Sequence, residues 1–247
     1  MISDHKNKSW YVDWFNSHYY HILYRDRDDY EARVFIDNLI RLLNIPPHSK
    51  ILDLACGKGR HAVYMNQKGF DVTGLDLSAK SIAHALRFEN PKMEFFVHDM
   101  RQPFRINYYD YVFNLFSSFG YFEKEKDNFD TIKYAVKALK KNGILVLDFM
   151  NSNFVISNLI EEEVKTIDNI DFKIKRFIEN DFIIKQIDFT DNGKNFSFRE
   201  KVKALALKDF ENYFHSAGLK IIHLLGDYQL NIFDKNNSER LILIAKK

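Results

Sequence analysis

The chain has 247 residues, and its 46% hydrophobic and 28% charged residues are typical of a globular protein rather than a disordered one. Its 36 Lys and Arg residues nearly balance 34 Asp and Glu residues, so the net charge of +2 provides no basic surface of the kind that binds nucleic acid. The single cysteine, Cys56, excludes an intramolecular disulfide and a cysteine-based zinc site.

Targeting and metal-binding signals are also missing from the sequence. No apolar run approaches the roughly 20 residues that would cross a bilayer, and the polar start of the chain does not resemble a signal peptide. The nine histidines show no metal-ligand spacing. We therefore expect a cytoplasmic protein with no metal site, no membrane partner and no nucleic-acid partner.

An aromatic-rich segment stands near the start of the chain. Within it Tyr11, Trp14 and His18 recur at spacings of three and four, as on one face of a short helix. We interpret residues 1–34 as an N-terminal aromatic segment that packs on the core, covers a site as a lid, or does both. A clearer helix is expected to start at residue 28 or 29 and to end before two consecutive prolines.

From residue 50 the sequence alternates between apolar strand-like runs and amphipathic helices. Strands are expected at residues 51–55, 70–75, 93–97, 109–113 and 144–147. Helices are expected at residues 60–68, 78–87 and 127–140. This alternation predicts parallel strands joined by right-handed helical crossovers.

The pattern changes after about residue 163. Three strands of alternating polarity are expected, at residues 170–175, 182–190 and 196–202. The Asp191-Asn-Gly193 turn joins the last two, and together the strands predict a small antiparallel β meander inserted at about residues 163–205. The chain then closes with a helix and two strands, at about residues 208–217, 219–225 and 240–245.

The residues that indicate a ligand site follow the first three strands. Asp53-Leu-Ala-Cys-Gly-Lys-Gly59 lies on a predicted strand-to-helix turn, where glycines let the backbone approach a ligand closely. Asp76 ends the second strand and Asp99 follows the third. Because the carboxyl ends of parallel strands meet at one edge of a sheet, the three acids are predicted to converge on one nucleotide-binding crevice.

This turn carries a resemblance to a known family. Asp53-Leu-Ala-Cys-Gly-Lys-Gly59 resembles the acidic-x-Gly-x-Gly-x-Gly signature of class I S-adenosylmethionine-dependent methyltransferases, small-molecule type. The resemblance covers residues 35–247 as architecture and is specific mainly at residues 51–77. It implies an α/β fold with a Rossmann-like, doubly wound, seven-stranded and mostly parallel sheet whose last strand is reversed. It also implies S-adenosylmethionine as cofactor and a methyltransferase domain over residues 35–247.

The resemblance assigns cofactor roles to individual positions. Asp53 would lie near the cofactor's ammonium group, directly or through water, and Asp76 would hold the ribose. The backbone of the turn would approach the cofactor at Ala55, Cys56, Gly57 and Gly59. Leu77, Asp99 and Met100 would contact the adenine, and Asn114 would contact the methionine part. Ala55 stands where the signature usually has glycine. Tyr24 lies in a segment similar to the lid helix of small-molecule members, in some of which a tyrosine touches the cofactor carboxylate.

Direct in-line methyl transfer to a small-molecule acceptor is the reaction that the resemblance implies. The sulfonium is already a strong electrophile, so the protein's main task is alignment in a dry pocket, and a base is needed only if the acceptor must lose a proton. No catalytic signature is therefore expected, and the candidates are weak: Tyr11, Tyr20, Ser118, Tyr121, Glu200 and Asp227. The acceptor and the oligomeric state stay open, with a protein acceptor as an alternative.

Two other functions stay open at this point. Gly57-Lys-Gly-Arg-His-Ala62 also fits the G-x-G-x-x-A pattern of an NAD-dependent oxidoreductase. Asp53 opposes that reading, because it would meet a pyrophosphate with a like charge, and the C-terminal half shows no catalytic domain that would present a hydride acceptor. The second alternative is a non-catalytic module that binds S-adenosylmethionine.

Overall fold

The computed structural model describes residues 10–25 and 29–247, which divide into two compact units. The first unit comprises residues 10–25 and Asn158–Ala204, and the second comprises residues 29–157 and Leu205–Lys247. The N-terminal segment and the antiparallel insertion therefore belong to one unit. The predicted domain boundary between residues 34 and 35 stays a prediction.

Helices and strands cover most of the described chain. The helices are α1 (Trp10–Phe15), α2 (His18–Leu23), α3 (Asp29–Leu43), α4 (Arg60–Gln67), α5 (Ala79–Ala85), α6 (Glu125–Ala138), α7 (Ser152–Ser157) and α8 (Leu207–Ser216). The strands are β1 (Lys50–Leu54), β2 (Asp71–Asp76), β3 (Met93–Val97), β4 (Tyr109–Asn114), β5 (Leu139–Met150), β6 (Glu162–Ile167), β7 (Ile170–Glu179), β8 (Phe182–Asp191), β9 (Lys194–Lys203), β10 (Lys220–Leu225) and β11 (Arg240–Lys246).

A seven-stranded sheet organises the second unit, in the order β10-β11-β5-β4-β1-β2-β3. Strands β1 to β5 pair in parallel, whereas β11 runs antiparallel to both of its neighbours. The predicted α/β fold with a mostly parallel sheet and a reversed last strand is thereby confirmed. Strands β1, β4 and β11 are buried over most of their length, as expected where helices cover both faces of a sheet.

The N-terminal aromatic segment does not form the single helix that its spacing predicts. It forms α1 and α2, and Ser17 lies between them. The Ser17 side-chain oxygen accepts a hydrogen bond from the Tyr19 backbone N–H at 3.1 Å, which is the N-cap arrangement that starts a new helix. The prediction of one helix through His18 is therefore wrong.

Four antiparallel strands, in the order β6-β7-β8-β9, form the sheet of the first unit. The sequence predicts three of them and misses β6. This edge strand is largely exposed on both faces, with Val164 62% accessible. Its sequence therefore does not alternate between apolar and polar residues, which is the pattern that predicts a strand. Phe172 and Ile187 from the sheet and Trp14 from α1 form the buried core of this unit.

Strand β5 is longer than its predicted span of residues 144–147. It begins at Leu139, directly after α6, which ends two residues before the predicted Lys140. The pairing with β4 shifts between Tyr109 and Tyr111, and Asn142 has a positive φ of 63°. The predicted turn at this asparagine is therefore an irregularity within a continuous strand.

No helix among residues 10–25 and 29–247 is long and apolar enough to cross a membrane. Within the same residues, no three or more His, Cys, Asp or Glu side chains are grouped so that they could hold a metal ion.

Candidate active site

The glycine turn after β1 leads directly into α4. Ala55, Gly57 and Gly59 all have positive φ angles, of 64°, 57° and 85°. A Cβ at Gly57 would meet no atom within 4 Å, so this part of the backbone borders open space. A Cβ at Gly59 would lie 3.0 Å from the ring of Phe95. The positive φ at Ala55 explains why glycine is usual at that position of the signature.

Two carboxylates, one half-buried and one fully buried, stand beside this turn. Asp76 accepts hydrogen bonds from the backbone N–H groups of Gly57, at 2.9 Å, and Ser78, at 2.7 Å. Asp53 is 1% exposed, and its Oδ2 has no hydrogen-bond partner among the described residues. Burial, followed by the negative charge of Asp76, raises the pKa of Asp53 to about 7. Asp53 could therefore accept a hydrogen bond from a ligand or pair with a cationic group of a ligand.

The positions after β2 and β3 are also predicted to contact the cofactor. Leu77 is 41% exposed, so its side chain is accessible to a ligand. Asp99 is paired with Arg101, whose Nη2 lies 2.6 Å from its Oδ2, and Met100 between them is half-buried. Burial acts to raise the pKa of Asp99, but the hydrogen bonds and charge of Arg101 hold it below its usual value. Arg101 is not among the residues predicted from the sequence, although an arginine two residues after a candidate acid is a visible signal.

Asn114 ends β4 and lies beside the end of β1. Its side chain is buried, and its Nδ2 donates a hydrogen bond to the Leu54 carbonyl oxygen at 2.9 Å. The Asn114 Oδ1 has no hydrogen-bond partner among the described residues. Like Asp53, this residue therefore carries a buried acceptor that a ligand could satisfy.

Three weak catalytic candidates of the second unit hydrogen-bond to nearby backbone. The Ser118 hydroxyl donates to the Leu115 carbonyl oxygen at 2.9 Å, and the Tyr121 hydroxyl donates to the Ser117 carbonyl oxygen at 2.8 Å. Asp227 accepts hydrogen bonds from two backbone N–H groups of its own loop, both at 3.0 Å. These contacts stabilise the local turns, and the catalytic role of each residue stays a prediction.

Glu200 of the first unit lies at the centre of a hydrogen-bonded cluster. Its carboxylate accepts hydrogen bonds from Trp14 Nε1 at 2.6 Å and from the Tyr24 hydroxyl at 2.7 Å. Lys185, opposite Glu200 in the sheet, donates to the same hydroxyl at 2.6 Å. The cluster supplies the partner that a carboxylate among aromatic residues needs, while the predicted cofactor contact of Tyr24 stays a prediction.

The remaining weak candidates, Tyr11 and Tyr20, belong to the same unit. Tyr11 is buried, and the ring of Tyr20 packs edge-on against that of Trp14, with 5.6 Å between the ring centroids. Both residues contribute to aromatic packing, and neither catalytic role is tested by these contacts.

We expect Glu200→Ala to destabilise the first unit by about 2 kcal/mol, because the buried Trp14 side chain and the Tyr24 hydroxyl would lose their acceptor. Chemical denaturation monitored by tryptophan fluorescence measures this change. The matched control is Glu179→Ala, which removes an exposed ion pair with Arg199 from the same sheet and should cost about 0.5 kcal/mol or less. Equal losses in the two variants would contradict a structural role for the Glu200 cluster.

Comparisons with known proteins bear on the second unit above all. Residues 51–143 match the model of a family described as a methyltransferase domain. The chain is 26% identical over 221 residues to dTDP-3-amino-3,4,6-trideoxy-alpha-D-glucopyranose N,N-dimethyltransferase of Streptomyces venezuelae, covering 84% of this chain and 91% of that relative. It is 27% identical over 212 residues to glycine/sarcosine N-methyltransferase of Aphanothece halophytica, covering 80% of this chain and 76% of that relative.

A solved structure agrees with the architecture. The crystal structure of an S-adenosylmethionine-dependent methyltransferase from Clostridium acetobutylicum ATCC 824 superposes with a TM-score of 0.78 at 21% identity, over 92% of this chain and 95% of that one. The chain contains a methyltransferase domain, as the family match and the methyltransferase relatives show. None of these comparisons favours an oxidoreductase or a non-catalytic module. The family match contains the glycine turn of the methyltransferase, together with Asp53, Asp76, Asp99 and Asn114.

A separate cleft of the methyltransferase, of about 250 Å³, lies at the amino ends of the first four strands of the sheet. Lys50, Asp71 and Tyr108 are among its lining residues. None of the residues predicted to bind the cofactor lines this cleft, and those of the second unit lie instead at or after the carboxyl ends of β1 to β4. The carboxyl edge is where open α/β sheets bind ligands, so the cleft is not the candidate active site.

Proposed function

We propose that this methyltransferase transfers a methyl group from S-adenosylmethionine to a nitrogen atom of a small-molecule acceptor. The observation that carries the cofactor part is the buried Asp53 carboxylate beside the open glycine turn, whose Oδ2 has no hydrogen-bond partner within residues 10–25 and 29–247. The two named relatives support the acceptor part, because one is named for an amino sugar and the other for glycine and sarcosine. Both names describe methyl transfer to nitrogen.

The described residues fit the chemical groups of S-adenosylmethionine. Asp53 would pair with its ammonium group, directly or through water, and the Asn114 Oδ1 is a further buried acceptor for the methionine part. Asp76 would accept the ribose hydroxyls, and the exposed Leu77 side chain would cover one face of the adenine. Asp99, with Arg101 fixed beside it, would accept a hydrogen bond at the adenine edge.

The reaction requires little acid–base chemistry from the chain. When bound, S-adenosylmethionine supplies an electrophilic methyl group. The residues that bind it hold that group in one orientation and exclude water, so that a neutral amine can attack in line. An amine that arrives uncharged needs no base for the attack itself, and the proton on the product can leave to solvent.

We further propose that the protein works in the cytoplasm without a nucleic-acid or membrane partner, and the near balance of basic and acidic residues supports the absence of a nucleic-acid partner.

A paired-acceptor assay tests the choice of nitrogen. Methyl transfer from radiolabelled S-adenosylmethionine would be measured with glycine, sarcosine and dTDP-3-amino-3,4,6-trideoxyglucose. Glycolate is the matched control, because it replaces the glycine nitrogen with a hydroxyl group. We expect turnover with at least one of the amines and none with glycolate. Binding of the cofactor combined with transfer to glycolate, and to none of the amines, would contradict N-methylation.

A further inference from the structure

A fully buried carboxylate of β5 contacts the loop that follows β4. Asp148 is 0% exposed, and its Oδ2 accepts a hydrogen bond from the Phe116 backbone N–H at 2.7 Å. The Asp148 backbone carbonyl oxygen accepts another from the Ser117 backbone N–H at 3.0 Å. One residue of the neighbouring strand therefore binds two successive amides of this loop.

These two loop residues have a backbone conformation that L-amino acids rarely adopt. Phe116 and Ser117 both have a φ of 58°. Such conformations persist in a folded protein only where surrounding contacts over-determine them, and they concentrate at functional sites. The loop begins at Asn114, whose buried side-chain oxygen accepts no hydrogen bond from the described part of the chain.

Arg240 and Tyr228 fix Asp148 in turn. Arg240 Nε and Nη2 lie 2.8 and 2.7 Å from Asp148 Oδ1, and the same Nη2 donates to the Ser117 hydroxyl at 2.9 Å. The Tyr228 hydroxyl donates to Asp148 Oδ2 at 3.1 Å. Burial raises the pKa of the Asp148 carboxyl, and the Arg240 guanidinium opposes that rise. The carboxylate is thus satisfied on both oxygens, as a buried charge must be.

The same loop touches the helix that follows the glycine turn. The Phe116 ring stacks on the His61 ring with 4.8 Å between centroids and an interplanar angle of 23°. The Arg60 guanidinium lies 4.9 Å from the Phe116 ring centroid. Both partners belong to the first turn of α4. A shift of Phe116 would therefore displace the first turn of α4, which follows the glycine turn, as well as Asn114.

We propose that Asp148, Arg240 and Tyr228 are positioning residues that hold the loop of residues 114–118 in its left-handed conformation and so pre-form the cofactor site. This inference deepens the proposed function and rests on it. None of the three residues needs to touch the cofactor. They act through the hydrogen bonds that the Phe116 and Ser117 amides donate to Asp148. These bonds keep the loop ordered before the cofactor binds.

Asp148→Asn tests the proposal. The asparagine side chain has one acceptor oxygen, so it cannot accept hydrogen bonds from Arg240 on one oxygen and from the Phe116 N–H on another, as the carboxylate does. We expect the amides of residues 114–121 in the free protein to exchange with deuterium at least about ten-fold faster than in the wild type. We also expect the Kd for S-adenosylmethionine, measured by calorimetry, to rise about ten-fold, because binding must then order the loop.

Rescue by Ser117→Gly in the Asp148→Asn background separates positioning from general stability. Glycine adopts positive φ without strain but lacks the hydroxyl that Arg240 contacts, so the double variant is compared with Ser117→Gly alone, and the loss of cofactor affinity caused by Asp148→Asn should be about three-fold smaller in the glycine background. The matched control is Asp130→Asn, which makes the same change at a buried acid of α6 that pairs with Lys126. This control should leave loop exchange and cofactor affinity unchanged.

Arg240→Lys is the second test variant, for the case in which Asp148→Asn does not fold. It keeps the charge beside Asp148 but cannot reach both that carboxylate and the Ser117 hydroxyl, so a rise in Kd of about three-fold is expected. Cofactor affinity and loop exchange within about two-fold of wild type in every folded variant would overturn the positioning role alone. Failure of the wild type to bind S-adenosylmethionine would instead overturn the proposed function, and this inference with it.

Discussion

Asp76→Ala is expected to lower the affinity for S-adenosylhomocysteine by about 100-fold or more. The two Asp76 oxygens accept hydrogen bonds from Gly57 and Ser78, and each has a further lone pair for a ribose hydroxyl. Two charge-assisted hydrogen bonds of about 1.5 kcal/mol each account for a loss of this size. The glycine turn would also lose the carboxylate that holds its Gly57 N–H.

Calorimetry with the purified wild type and variant measures this loss. Asp71→Ala is the matched control, because Asp71 lies on the same strand at its amino end, next to the separate cleft. The control should keep its Kd within about two-fold, and it should keep the rise in melting temperature that the ligand causes by mass action. If Asp76→Ala binds the ligand as tightly as Asp71→Ala does, the ribose is not held at this carboxylate.

The glycine turn and the two acids at the carboxyl ends of β1 and β2 could be predicted because their signals are local. A strand, a glycine turn and a helix follow one another within a few residues, and parallel pairing of β1 with β2 brings Asp53 opposite Gly74, two residues before Asp76. The chain order therefore fixes which strand ends are neighbours, once the sheet is known to be parallel. The positive φ angles of Ala55 and Gly57 then belong to the turn itself.

The side-chain networks could not be predicted because their members are distant in sequence. Trp14 and Glu200 are 186 residues apart, and Asp148 and Arg240 are 92 residues apart. No sequence periodicity links residues so far apart. One signal was available for Asp148: it stands in an apolar strand, Ile144-Leu-Val-Leu-Asp-Phe-Met150, where an acid must find a buried partner.

The position of a residue after a strand likewise does not show whether its side chain is available to a methyl acceptor. The weak candidates Ser118 and Tyr121 were chosen for their position after β4, and the structure shows that both hydroxyls donate to loop carbonyl groups. Position on the chain can place a residue near a strand end, but the hydrogen bonds that occupy its side chain depend on loop conformation. The loop conformation here depends on Asp148, which belongs to another strand.

A pH dependence of cofactor binding is the second large effect, and it follows from Asp53. Burial and the nearby Asp76 charge raise the pKa of Asp53 to about 7, although the Ala62 backbone N–H and the Arg60 charge oppose the rise. The ionised form is the one that attracts an ammonium group, so binding of S-adenosylmethionine should release a proton. From pH 8 to pH 6 we expect the affinity of the wild type to fall about ten-fold, since each unit below the pKa of the free protein costs up to ten-fold.

Asp53→Asn should remove this pH dependence and leave a lower affinity at every pH, by about 30-fold at pH 8 for the loss of one charge-assisted contact. The pH dependence of folding stability has the opposite sign to the pH dependence of cofactor binding. Because folding raises the pKa of Asp53, its ionisation favours the unfolded chain, and the free wild type should lose stability as the pH rises from about 4 through about 7. Calorimetry at pH 6, 7 and 8, in two buffers of different ionisation enthalpy, measures both the affinity and the proton release. A wild-type affinity that is flat over this range, together with an unchanged affinity in Asp53→Asn, would mean that the ammonium group binds elsewhere.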